Sequence, residues 1–150
     1  KGSRSISPNV KAVFEMERAQ GLHKAETFSQ FRRNCEASRK ALRNTLEVLR
    51  DQGKRVVGYG ATSKSTTVLN YCEITQELIS YICDTTPIKQ GKTSPGMHIP
   101  IKPYDAFKAD YPDYAVLFAW NHREEIMAKE NDYAASGGKW VVFVPEVAIE

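Results

Sequence analysis

A short apolar run that breaks on glycine and passes directly into a helix constrains this chain more than any other feature. Arg55-Val56-Val57-Gly58-Tyr59 reads as a β-strand, and Gly60-Ala61-Thr62 as a tight turn. Ser63 to Tyr71 then follows as a helix with Val68, Leu69 and Cys72 on its apolar side. Three further runs repeat the strand signal: Leu78–Cys83, Tyr114–Ala119 and Trp140–Val144. A helix over Asn121–Lys129 separates the last two, with Asn121 as its N-cap and Glu124 and Glu125 favourable in its first turn. Strands this uniformly apolar are covered on both faces, which in alternation with helices means parallel pairing. The expected architecture is α/β: a Rossmann-like, mostly parallel open sheet with helices on both faces.

An N-terminal helical lead-in precedes it. Ser7-Pro8 reads as an N-cap followed by a proline in the first turn, with Val10, Val13 and Phe14 at helical spacing and Gly21 as the stop. A longer helix from about His23 to Arg50 carries Phe28, Phe31, Cys35, Leu42, Leu46 and Leu49 on one stripe, and Gly53 closes it. The division expected is residues 1–53 as a lead-in packed on the core and residues 54–150 as the Rossmann-like core, together one domain.

At 150 residues with 41% apolar and 26% charged side chains, the chain can bury a core without staples. No apolar run approaches the ~20 residues of a membrane span. The three cysteines, Cys35, Cys72 and Cys83, lack metal-ligand spacing and sit at apolar positions. They read as small buried thiols in a reducing compartment, so no metal site and a cytoplasmic location are expected. Residues 1–50 hold 11 Lys and Arg against 5 Asp and Glu, but spread along a helix and without interleaved aromatics. That pattern is a solvated helix face, and nucleic acid is not an expected partner. The chain opens on Lys1-Gly2-Ser3-Arg4, with neither a methionine nor a secretion signal, and reads as a piece of something longer.

The candidate binding residues cluster at strand ends. Gly58 and Gly60, with Ala61, form a turn that lets backbone amides approach an anion, and Lys64 adds a charge in the first helical turn. The spacing is neither a dinucleotide GxGxxG, because residue 63 is serine, nor a Walker loop. Asp84, 24 residues beyond Gly60, stands where an acidic residue contacts a ribose, or equally where it caps the turn at Thr85-Thr86-Pro87. The Pro- and Gly-rich stretch Thr85–Pro103 reads as a loop over a polar, phosphate-bearing ligand, offering Lys89, Gln90 and His98. Trp120 and Asn121 follow the third strand and suit stacking and hydrogen bonding to a base or sugar. Taken singly, each of these has a structural reading. Taken together, at the ends of three strands, they read as one site. No nucleophile, triad or carboxylate pair is visible, so no catalytic residue is assigned.

The segments GYGATSK (58–64), LNYC (69–72), YICDTTPIKQGKTSPGMHIPI (81–101), PDYAVLFAWNHREEI (112–126) and GGKWVVFVPEV (137–147) resemble the C-terminal domain of sugar C-methyltransferases. The resemblance runs from about Val10 to the C-terminus. It departs at Ser65, where a glycine is common, and at Thr85, which replaces a frequent second aspartate. It implies a three-part enzyme: an N-terminal zinc-binding region, a central S-adenosylmethionine-binding domain and this C-terminal domain. A nucleotide diphosphate-sugar would lie between the last two. A carbon beside a keto group loses its proton and the resulting carbanion accepts the methyl group. On this resemblance Tyr59, Lys64, Lys89, Gln90, His98 and Asn121 serve sugar-nucleotide contact and docking to the methyltransferase domain, not catalysis. Zinc and the methyl donor would both be held by parts outside this chain, which alone would be inactive. The competing readings are a non-catalytic nucleotide-sugar-binding or docking module and, against the Ser63 and loop features, an NAD-binding oxidoreductase domain.

Overall fold

The computed structural model describes residues 5–150, so the Lys1–Arg4 run, on which the expectation of a longer protein rests, lies outside the described residues. Two compact units divide the chain, one up to Ala37 and one from Ser38 to Glu150.

The first unit holds α1 (Pro8–Ala19) and the opening turns of α2 (Ala25–Asp51). Ser7 starts α1 as its residue type requires, its hydroxyl accepting the Val10 amide hydrogen at 3.4 Å. Gly21 stops it with φ of +72°, a conformation that costs other residues steric strain. The stripe on α2 is buried only from Leu42 onward, through Leu46 and Leu49; Phe28 and Phe31 remain exposed.

In the second unit, Gly53 takes φ of +71° and ends α2, its amide donating to the Arg50 carbonyl and that of Lys54 to the Leu49 carbonyl. Six strands follow: β1 (Val56–Tyr59), β2 (Ile82–Asp84), β3 (Ile101–Pro103), β4 (Tyr114–Leu117), β5 (Lys139–Val142) and β6 (Ala148–Ile149). They form one sheet in the order β3-β2-β1-β4-β5-β6, parallel throughout except for the antiparallel β5–β6 pair. The mostly parallel α/β sheet is therefore as expected, with two strands more than the four read from the sequence.

Both extra strands lie at the sheet edges. β3 hides between Pro100 and Pro103, residues tolerated at an edge and read along the chain as loop. The Thr85–Pro103 stretch is accordingly not structureless. It contains a 3₁₀ turn at Pro87–Lys89, a bridge between Thr93 and Pro100, and β3 itself. β2 also begins later than the apolar run suggests: Leu78 and Ile79 are buried but precede the strand.

Strand residues alternate between two cores, as the pleat demands. Val56, Ile82, Val116 and Val141 pack with Leu42, Leu46 and Leu49 of α2 and Leu69 of α3 (Ser63–Tyr71). Val57, Tyr59, Leu117 and Trp140 pack on the other face with Phe107 of α4 (Tyr104–Ala109). Tyr133 of α6 (Asn131–Ala135) joins them, while α5 (Arg123–Lys129) contributes the partly buried Ile126 and Met127.

Candidate functional site

The chain runs outward from β1 through β2 to β3, then crosses back to place β4 on the other side of β1. In an open parallel sheet such a reversal leaves a crevice outside the carboxyl ends of the two central strands. Two turns meet there. The β1 turn reaches α3 through Gly60, whose φ of +89° demands glycine, and through Thr62. The Thr62 hydroxyl accepts the Ser65 amide hydrogen at 3.1 Å and caps α3, a signal present in the sequence as a Thr just ahead of the helix and not among the expected site residues. The β4 turn is a 3₁₀ segment, Trp120–His122, so Asn121 does not cap a helix as its sequence position implied.

Asn121 instead faces Lys64. The Lys64 ammonium donates to the Asn121 side-chain oxygen at 2.8 Å, joining residues 57 apart in sequence across the crevice. The same ammonium lies 5.3 Å from the centroid of the Trp120 ring. Trp120 is held in turn, packing edge-on against Phe143 at 5.3 Å. Cation, amide and indole thus converge at the switch point, set by the ends of β1 and β4. A cleft of about 770 Å³ opens beside them, walled by Trp120, Asn121, Arg123, Glu125 and Val144. A second, of about 390 Å³, lies between the first turns of α3 and the loop bearing Lys89, Lys92 and Ser94.

Asp84, Lys89 and Gln90 form a separate hub at the end of β2. One Asp84 oxygen accepts the Ala61 amide hydrogen at 2.7 Å and the Lys89 ammonium at 3.3 Å; the other accepts the Thr86 amide hydrogen at 2.8 Å. The Gln90 side-chain amide donates to the Asp84 carbonyl at 3.0 Å. Burial alone would push the Asp84 carboxyl upward. Hydrogen bonds from the Thr86 hydroxyl and amide and from Ala61, with the Lys89 charge, outweigh it and hold the carboxyl below its ordinary value. A carboxylate has about four acceptor positions. Here they are taken by the protein's own donors, and only 8% of the residue is exposed.

The remaining expected residues fall elsewhere. Gly58 lies within the sheet, where a Cβ would stand 2.7 Å from Phe118 Cε2, so its lack of a side chain admits the phenyl ring. Tyr59 points to the opposite sheet face from Gly58 and donates its hydroxyl to Glu130 Oε1 at 2.8 Å. His98 is exposed at a φ of +54°, its backbone amide donating to the Ser94 carbonyl, and it lines neither cleft. The structure therefore gathers Gly60, Ala61, Lys64, Asp84, Lys89, Gln90, Trp120 and Asn121 around three strand ends, and leaves Gly58, Tyr59 and His98 outside.

One buried polar group went unread in the sequence. Glu130 is 2% exposed and accepts the hydroxyls of both Tyr59 and Tyr104. Among the described residues, no three His, Cys, Asp or Glu side chains gather as a metal site would require, and no helix is long and apolar enough to cross a membrane.

Residues 1–145 match the family model described as the C-methyltransferase C-terminal domain. The chain is also 35% identical over 141 residues to the C-methyltransferase NovU of Streptomyces niveus, an alignment covering 94% of this chain and 34% of the relative. It thus spans about a third of that relative's length. On the extent of the family match, this chain belongs to the C-methyltransferase C-terminal domain family.

Proposed function

We propose that this chain forms the substrate-binding side of an S-adenosylmethionine-dependent C-methyltransferase, holding a nucleotide-linked keto-deoxysugar against a methyltransferase domain of the same protein. The observation that carries the reading is the Lys64–Asn121 bridge beside Trp120 at the switch point. An ammonium suits a diphosphate, an indole face suits a base or sugar ring, and an amide suits a hydroxyl or a base edge. Family membership supports methyl transfer to carbon as the reaction the site serves.

The filled acceptors of Asp84 argue against an adenosyl ribose at this crevice, which disfavours both NAD and S-adenosylmethionine as its ligand. S-adenosylmethionine supplies an electrophilic methyl group to the substrate carbanion, and its binding residues are assigned to the methyltransferase domain. Zinc, assigned to an N-terminal region, takes no part in what these residues do. On this reading the chain alone binds but does not methylate. Its free thiols, Cys72 and Cys83 buried, suit a reducing cytoplasm.

Thermal shift with a nucleoside diphosphate-sugar, NAD and S-adenosylmethionine, measured side by side, tests the reading. A ligand at 100 times its Kd adds about 2.7 kcal/mol, or roughly 5–10 °C for a chain of this size. The rise is expected with the nucleotide sugar alone. A rise with NAD alone favours an oxidoreductase domain, and one with S-adenosylmethionine moves the methyl-donor site onto this chain. No rise with any of the three favours a docking module.

A further inference from the structure

The apolar stripe of α2 continues past the point where it is covered. Leu42, Leu46 and Leu49 are at most 3% exposed, yet Phe28, four helical turns ahead of Leu42 on the same stripe, is 56% exposed and Phe31 is 67% exposed. Helix α1 repeats the pattern, with Val10, Val13 and Phe14 at i, i+3 and i+4 all exposed and no residue buried. A 12-residue helix whose apolar side chains Val10, Val13 and Phe14 stay 46–60% exposed is marginal in water. Among the described residues, eight of the thirteen exposed large apolar side chains lie before Arg32. Exposed apolar side chains gathered in one unit of the chain in this way mark a candidate interaction surface. An open depression of about 590 Å³ beside Phe31, bordered by Gln30 and Asn34, offers room for a partner's side chain.

The length of the relative indicates what covers it. This chain aligns to 34% of the Streptomyces niveus protein and matches the family's C-terminal domain. The larger share of such an enzyme therefore lies ahead of the residues equivalent to α1, joined to them through the chain. Tethering raises the effective concentration of a neighbouring domain to about the millimolar range, so a modest apolar contact is enough to hold it.

We propose that the exposed apolar face of α1 and the first turns of α2 is the docking surface for the methyl-transferring portion of the enzyme. The inference rests on the reading above that this chain works as one domain of a larger C-methyltransferase. It assigns the face neither to a second copy nor to an unrelated partner.

Hydrogen exchange read by mass spectrometry, on this chain and on the full-length enzyme that carries it, tests the assignment. In this chain alone the α1 amides are expected to exchange near the unprotected rate. In the full-length enzyme α1 and residues 25–34 should slow at least tenfold. The double substitution Phe14→Ser/Phe31→Ser should abolish that slowing and leave β1 and β4 as protected as before. Equal exchange in both proteins overturns the proposal. So does protection of this chain alone that rises with its concentration, which assigns the face to a second copy. Protection confined to residues 60–66 and 120–125 also overturns it while leaving the proposed function intact. That function is judged separately by the nucleotide-sugar titration.

Discussion

Replacing Glu130 by alanine is expected to destabilise the 38–150 unit by about 3–5 kcal/mol, the range for breaking a buried charged network. The carboxylate accepts the Tyr59 hydroxyl at 2.8 Å and the Tyr104 hydroxyl at 2.7 and 2.8 Å to its two oxygens. Hydrogen bonds to a charged group contribute about 1.5–3 kcal/mol each, and a hydroxyl stranded in the core costs about 1–3 kcal/mol more. That last cost falls on Tyr59, which is 8% exposed, whereas the half-buried Tyr104 can turn to water. The Lys129 ammonium, 3.6 Å away but largely exposed, adds at most about 1 kcal/mol. Burial first, and then the Glu130 carboxylate, hold both tyrosine hydroxyls protonated above the ordinary phenol range. Urea unfolding followed by tryptophan fluorescence gives the loss, with an unchanged slope marking an intact fold. Glu130→Gln, which keeps one acceptor oxygen, should lose about half as much. Tyr104→Phe should cost about 1.5–3 kcal/mol in the native protein and almost nothing in the Glu130→Ala background. A Glu130→Ala loss below about 1 kcal/mol, or additive losses in that cycle, refutes the reasoning.

Gly58→Ala should cost about 1–3 kcal/mol in the same assay, because a Cβ would stand 2.7 Å from Phe118 Cε2 and 3.0 Å from Ile82 Cγ1. Burial pushes the Cys72 thiol up to about 11, against the nearby Arg39 and Arg43 charges, and that of Cys83 up to about 12. Unfolded thiols ionise near about 8.5, so their stabilisation is complete below that pH and drains as the pH rises toward 12. The urea midpoint should therefore fall above about pH 9. A thiol reagent at pH 8 should label the partly exposed Cys35 well before Cys72 and Cys83. Asp84 acts at the other end: its lowered carboxyl contributes stability that is complete above about pH 4 and is lost as the pH falls through its folded value. Asp84→Asn should flatten the acid limb of the stability profile.

Local signals carried the central half of the fold. The α3 helix runs from Ser63 to Tyr71, as the glycine turn before it and its apolar spacing place it, and β1 follows from its Val-Val run. β3 was illegible because prolines at 100 and 103 mimic loop, and only its pairing with β2 identifies it as strand. Asn121 shows the limit of capping rules: its residue type suits an N-cap, yet a lysine 57 residues away takes its oxygen. The period of a strand, applied strictly, separates Tyr59 from Gly58 by one sheet face, and so from the α3 side of the sheet. Glu130 had no such clue, since its partners lie 71 and 26 residues away and meet it only in the folded sheet.

The account turns on whether the Lys64–Asn121–Trp120 constellation recognises a nucleotide sugar. The direct measurement is a titration of this chain with a nucleoside diphosphate-sugar, read by tryptophan fluorescence, beside the Lys64→Met and Asn121→Ala variants. The native chain is expected to saturate, with the Trp120 emission changing and competition by the free nucleoside diphosphate. Each substitution should weaken binding at least tenfold, or about 1.4 kcal/mol, with little change in the urea midpoint. Binding that is unchanged in both variants, or that is found for NAD instead, would contradict it.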